Sequence, residues 1–137
     1  MTTAGPSQLP PFDFEAEWRR CSAWLQDALD SAGNSHNLDD VKNGVLAGSY
    51  EFWPAPRAAI VTELLIYPNW SALHCWLVGG ELGQVRDMIP SLVLFAKSFG
   101  CTKITGTGRL GWVRALQEQG FTRMTTTVAM EIEPDGR

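Results

Sequence analysis

Apolar residues recur at helical spacing from Phe14 through Trp18, Cys21, Leu25 and Ala28 to Leu29. That spacing predicts one amphipathic helix with a single buried stripe. Asp13 stands where an N-cap belongs, Glu15 and Glu17 suit the positive first turn, and Gly33 marks the stop. A second, shorter helix is expected over 38–46, capped by Asn37, with Leu38, Val41 and Val45 facing inward and Gly44 weakening it from within.

The apolar period then shortens to that of a strand. Strands are expected at 50–53, ended by Pro54 and Pro56, at 58–67, and at 73–78. The links between them are short, which favours an antiparallel meander. Gly79 and Gly80 close the third strand, and Leu82, Val85 and Ile89 then fit one helical face. Pro90 is expected to interrupt that helix and to start a fresh one running to Phe99, because proline lacks the N–H a helix interior needs. A strand at 101–105, a helix at 110–119 and a last strand at 121–132 complete the chain.

The resulting order is α-α-β-β-β-α-β-α-β: an α/β (α+β) fold with a mixed sheet, antiparallel early and joined by parallel crossovers late. Residues 1–12 read as a flexible leader, 13–132 as one domain and 133–137 as a tail. At 137 residues the chain is near the usual size of a single domain. Hydrophobic residues make up 45% and charged residues 19%, ordinary for a globular protein.

Charge narrows the function. The net charge is −4 and the sequence pI about 5.1. The Lys and Arg residues are scattered, so no basic stripe for nucleic acid is present. No apolar run is long enough to span a membrane, and the N-terminus lacks a signal-peptide pattern. Secretion by a signal peptide is therefore not expected. Cys21, Cys75 and Cys101 read as free thiols, and His36 and His74 have no metal-ligand spacing, so no metal is expected.

Three places carry candidate chemistry. Gly79, Gly80 and Gly83 follow a strand and open a helix, where backbone N–H groups can cradle an anion; a plain turn is the simpler reading. Residues 106–111 (Gly-Thr-Gly-Arg-Leu-Gly) match G-x-G-x-x-G in form, but no second βαβ unit follows, so a tight joint or an anion site at Arg109 is favoured over a dinucleotide fold. Glu63, on a face with Val61 and Leu65, is a candidate general base, against a solvated carboxylate or an ion pair with Arg57 or Arg109. His74 alternates with Trp76 and is the other catalytic candidate, against a structural histidine.

Two helices, a three-strand meander and then strand-helix-strand-helix-strand resemble the GNAT family of N-acetyltransferases. The text from Gly108 to Leu116, followed by Gln119-Gly120-Phe121, adds to this. Thr62-Glu63, Tyr67-Pro68, Trp76 to Gly80 and Gly108 to Leu116 further resemble divergent GNAT-like proteins of tailed bacteriophages, of the internal virion type. The resemblance implies an acetyl-CoA site if the chain is an enzyme, with the strand at Leu77 and Val78 polarising a thioester carbonyl and Trp112 near the place of the family's helix tyrosine. It also shows departures. No Gln or Arg opens the pyrophosphate loop, Glu81 sits within it, and only one strand's length follows Gly120-Phe121. These favour a binding or assembly role beside other phage structural proteins, in the virion or the host cytoplasm, with self-association as a further option. An acyl-CoA-dependent N-acyltransferase is the alternative.

Overall fold

The computed structural model describes residues 11–108 and 110–134. Helix α1 (Phe14–Ser31) starts where Asp13 accepts a hydrogen bond from the Ala16 N–H at 3.1 Å, and it buries Trp18, Cys21, Leu25 and Leu29. Helix α2 (Leu38–Leu46) opens on a reciprocal capping box between Asn37 and Asp40. Its unfavourable Gly44 has a local cause. A Cβ there would overlap the Tyr50 ring, so the helix gives up propensity to let that ring pack.

Four strands follow: β1 (Glu51–Pro54), β2 (Ala58–Ile66), β3 (Ser71–Gly80) and, after helix α3 (Leu82–Ser98), β4 (Lys103–Gly106). They lie in the order β1-β2-β3-β4, antiparallel across the first two pairs and parallel between β3 and β4. The mixed sheet expected from the sequence is therefore present. Pro54 ends an edge strand, where a missing N–H is tolerated.

The sheet is packed on both faces. Ala59, Val61 and Leu77 meet α1 and Val41 of α2 on one side. Ala58, Ile60, Leu73 and Cys75 meet Val85, Leu92 and Ala96 of α3 on the other. The register slips at one point: Val61 faces Leu77, but Thr62 faces Cys75, leaving Trp76 as an extra residue in β3. This bulge reverses the alternation, so Leu73 and Cys75 point to the α3 face and Leu77 to the α1 face.

Two expectations need correction. Pro90 does not break α3, which runs through it unbroken. Pro90 stands on the exposed side, while Val85, Leu92 and Ala96 hold the opposite face to the sheet. The last strand is also absent as a sheet member. After β4 come helix α4 (Leu110–Ala115) and a 3₁₀ turn (Gln117–Gln119) ended by Gly120 at φ +96°. Residues 121–133 pair with no strand among the described residues. Of the leader expected over 1–12, residues 1–10 lie outside the described residues.

Candidate functional site

The geometry of interest arises where β3 and β4 separate. Their parallel pairing ends at Cys75 and Gly106, and the Thr107 N–H makes one further bond to the Cys75 carbonyl at 3.2 Å. From Trp76 to Gly80, β3 is paired to β2 alone among the described residues. The wedge so formed opens on a cavity of about 320 Å³ that is bounded by Trp24 and Asp27 of α1, Val78, Gly79 and Gly80 of β3, and Trp112 beyond β4. A wider groove of about 1280 Å³ continues past His74, Cys75, Thr105 and Thr107 to residues 120–127.

Glu63 and His74, separate candidates in the sequence, are cross-strand partners here. Both are half-buried. The His74 ring is held at both nitrogens: Nδ1 shares a hydrogen bond with Thr105 Oγ1 at 2.8 Å, and Nε2 shares one with Thr107 Oγ1 at 3.0 Å. Burial holds the His74 pKa below the usual histidine value, with the Glu63 charge pulling the other way. This burial favours the neutral ring. Threonine hydroxyls can donate or accept, so either tautomer is supported, and the accepting nitrogen can take a proton only as its own threonine hydroxyl turns away or passes on its hydrogen. The two threonines were not singled out in the sequence. Their signal is the alternation Thr105-x-Thr107 beside a strand that carries a histidine.

The glycines divide by cause. A Cβ on Gly79 would overlap the backbone of Trp24, and one on Gly80 would overlap that of Arg57 and Ala58; Gly80 also has φ +105°. Packing alone requires both. Gly83 differs, since a Cβ there would meet nothing within 4 Å. It sits in the first turn of α3, whose N-cap Glu81 supplies no side-chain bond to the helix. The Glu81 carboxylate instead lies 3.4 Å from Arg57 Nε, so the repulsion it would exert on an anion is partly offset. The same contact removes Arg57 as the ion-pair partner considered for Glu63. Arg109 lies outside the described residues.

Leu77 is fully buried against α1, so only its backbone could serve a ligand, whereas Val78 and Trp112 line the wedge directly. Cys75 is no nucleophile. Burial pushes its thiol up to about 12, and the Cys21 thiol is raised for the same reason. Behind the site, Thr62 accepts from Trp53 Nε1 at 2.9 Å and donates to Glu51 at 2.7 Å. Burial raises the Glu51 pKa. Among the described residues no group of three or more His, Cys, Asp or Glu could hold a metal, and no helix is long and apolar enough to cross a membrane.

Coenzyme A fits this arrangement in part. The wedge offers an unpaired strand edge for the pantetheine arm, and the uncapped α3 start with its bare Gly83 offers N–H groups for phosphate. Glu81 is the element that fits least.

Solved structures share the architecture. A transcriptional regulator from Bacillus halodurans superposes with a TM-score of 0.68 at 12% identity, over 86% of this chain and 95% of that one. An acetyltransferase from Trypanosoma brucei gives 0.55 at 12% identity, over 80% and 94%. A probable acetyltransferase gives 0.62 at 5% identity, over 89% and 97%. No protein-family model and no curated protein sequence matches the chain. At such identities the likeness shows a GNAT-like fold, and the activity must be argued from the site.

Proposed function

We infer that this GNAT-like domain is an acyl-CoA-dependent N-acyltransferase, with the coenzyme arm in the β3–β4 wedge and His74 as the base. The observation that carries this reading is the His74 ring, hydrogen-bonded at both nitrogens by Thr105 and Thr107 in the groove that continues from the wedge. Bound acyl-CoA would supply an acyl carbon activated by its thioester. An ammonium acceptor must lose a proton before it can attack, and His74 can take that proton once the threonine hydroxyl on its accepting nitrogen turns aside or relays it. Glu63, across the strand pair, favours the imidazolium so formed. The unpaired edge of β3 near Leu77 and Val78 is placed to donate backbone N–H groups toward a carbonyl oxygen in the wedge. Gly83 leaves room for phosphate at the start of α3.

Calorimetry of the purified chain with acetyl-CoA tests the reading. Micromolar binding is expected, and His74→Gln should keep that binding while losing acyl transfer to amine acceptors. Silence at millimolar acetyl-CoA would sink it. A second reading is favoured by Glu81 in the phosphate loop: a phage binding or assembly domain whose coenzyme site has degenerated. That reading expects the silent calorimeter and co-purification of the chain with phage particles.

A further inference from the structure

The strand registers set two rows of residues side by side across the sheet. One row runs Glu63, His74, Thr105; the next, two residues along each strand, runs Leu65, Ala72, Lys103. Ile104 packs toward α3, so Lys103 and Thr105 on either side of it project from the opposite face, with His74. At the rise of a strand the two rows stand about 7 Å apart. The first carries a carboxylate whose charge favours a cation at His74. The second ends on an ammonium. Lys103 Nζ lies 5.2 Å from the centroid of the Trp70 ring, and Trp70 meets Tyr67 edge to face at 4.8 Å. Leu65, Tyr67, Trp70, His74 and Lys103 all line the wide groove.

The charge of the groove opposes that of the chain. The net charge is −4, yet the charged side chains lining the groove are Lys103 and Arg123, with no Asp or Glu among the described residues. Three cations outside the groove are matched: Arg20 by Glu17, Lys42 by Glu15 and Arg57 by Glu81. Lys103 and Arg123 have no carboxylate partner among the described residues, and Arg123 donates instead to Thr126 Oγ1 at 2.6 Å. Cations left unpaired in a concave, partly apolar site attract an anion. A polyamine would be repelled. An amine held at His74 is therefore favoured when it carries its own negative group.

We propose that the acceptor is an amino acid with an apolar or aromatic side chain, its amine at His74, its carboxylate on Lys103 and its side chain against Tyr67 and Trp70. The proposal rests on the acyltransferase reading for what happens to the amine. An α-amino acid carries amine and carboxylate on one carbon, so a hydrogen bond of about 2.9 Å at each end bridges the two rows. In the transfer the amide C–N bond forms as the thioester C–S bond breaks. The ammonium gives up two protons, one through His74 to solvent and one to the departing thiolate. Lys103 touches no reacting atom and selects the acceptor.

Binding without coenzyme tests the proposal. The ¹⁵N-labelled full chain is titrated with L-phenylalanine, with hydrocinnamate, which lacks the amine, and with phenethylamine, which lacks the carboxylate. The Trp70 indole resonance should shift with the first two, and phenethylamine should bind about tenfold more weakly than L-phenylalanine. Lys103→Met should cost L-phenylalanine about tenfold and leave phenethylamine unchanged, a difference that a folding defect would not produce. Added salt should weaken the amino acid, because Lys103 is exposed. Phenethylamine binding as tightly as L-phenylalanine, or a Trp70 indole unmoved by millimolar L-phenylalanine, would overturn the proposal even if acetyl-CoA binds. Amino-acid binding with silence toward acetyl-CoA would sink the acyl-transfer reading alone and leave the groove an amino-acid site.

Discussion

Strand β2 and the segment 124–132 are alike in length and in β-branched or apolar content, and they end in opposite environments. β2 has a neighbour on each side and a helix over each face, so Ala58, Ala59, Ile60 and Val61 are at most 1% exposed. In the C-terminal segment Val128 is 88% exposed and no strand adjoins it. Alternating sequence states that a chain needs a sheet edge and a cover. It does not supply them. In β2 both come from the same chain, while only the first part of the later segment, to Thr127, reaches the groove beside the four-residue strand β4.

The sharpest contrast is energetic. Leu25→Ala, which empties a site fully buried between α1 and the sheet, should cost about 2–5 kcal/mol in urea unfolding. Val128→Ser, at an exposed position, should stay within about 0.5 kcal/mol of wild type. A large effect of Val128→Ser would mean that the segment is buried within its own chain.

A second contrast sets Gly80 against Gly83. Alanine at Gly80 must overlap the backbone beside Arg57 at positive φ, and should cost about 1–3 kcal/mol from overpacking, with about 1 kcal/mol more from the backbone conformation. Alanine at Gly83 meets open space in a helix and should stabilise by up to about 1 kcal/mol. If Gly83 serves phosphate, the same Gly83→Ala variant binds acetyl-CoA more weakly while melting higher. A structural role alone would not produce that pairing. Asp13→Ala, which removes the N-cap of α1, should cost about 1 kcal/mol by thermal unfolding.

The smallest effect is in pH dependence. Burial depresses His74 in the folded chain, so the unfolded chain takes the proton first on acidification. The stability tied to the neutral ring is complete above the ordinary histidine pKa and is lost as pH falls toward the folded value. Glu51 acts in the opposite sense. Its raised pKa gives stability below the usual carboxylate range that is lost as pH rises through the folded value. His74→Gln should therefore flatten the stability profile just below neutrality and leave the more acidic limb in place.

Helix α1 was readable to within a residue of its start because cap, charge and apolar stripe all agree there. The strands of the meander were readable because prolines and turn residues bound them. Pro90 was misread because a local rule has no knowledge of which side of the helix meets water. The bulge at Trp76 left no trace in composition, since inserting one residue changes facing and not residue type. At the site, Glu63 and His74 were found singly, but their adjacency depends on the β2–β3 register. Thr105 and Thr107 matter only through the parallel pairing of β4 with β3. The glycines were visible as a group, and only packing separates Gly79 and Gly80 from Gly83.

The central claim is that the wedge between β3 and β4 receives acyl-CoA. Titration of ¹⁵N-labelled chain with acetyl-CoA, followed by amide and indole chemical shifts, tests it most directly. The account predicts shifts concentrated from Val78 to Gln84 and at the Trp112 indole. An unchanged spectrum at millimolar acetyl-CoA, or shifts confined to residues away from that wedge, would contradict it.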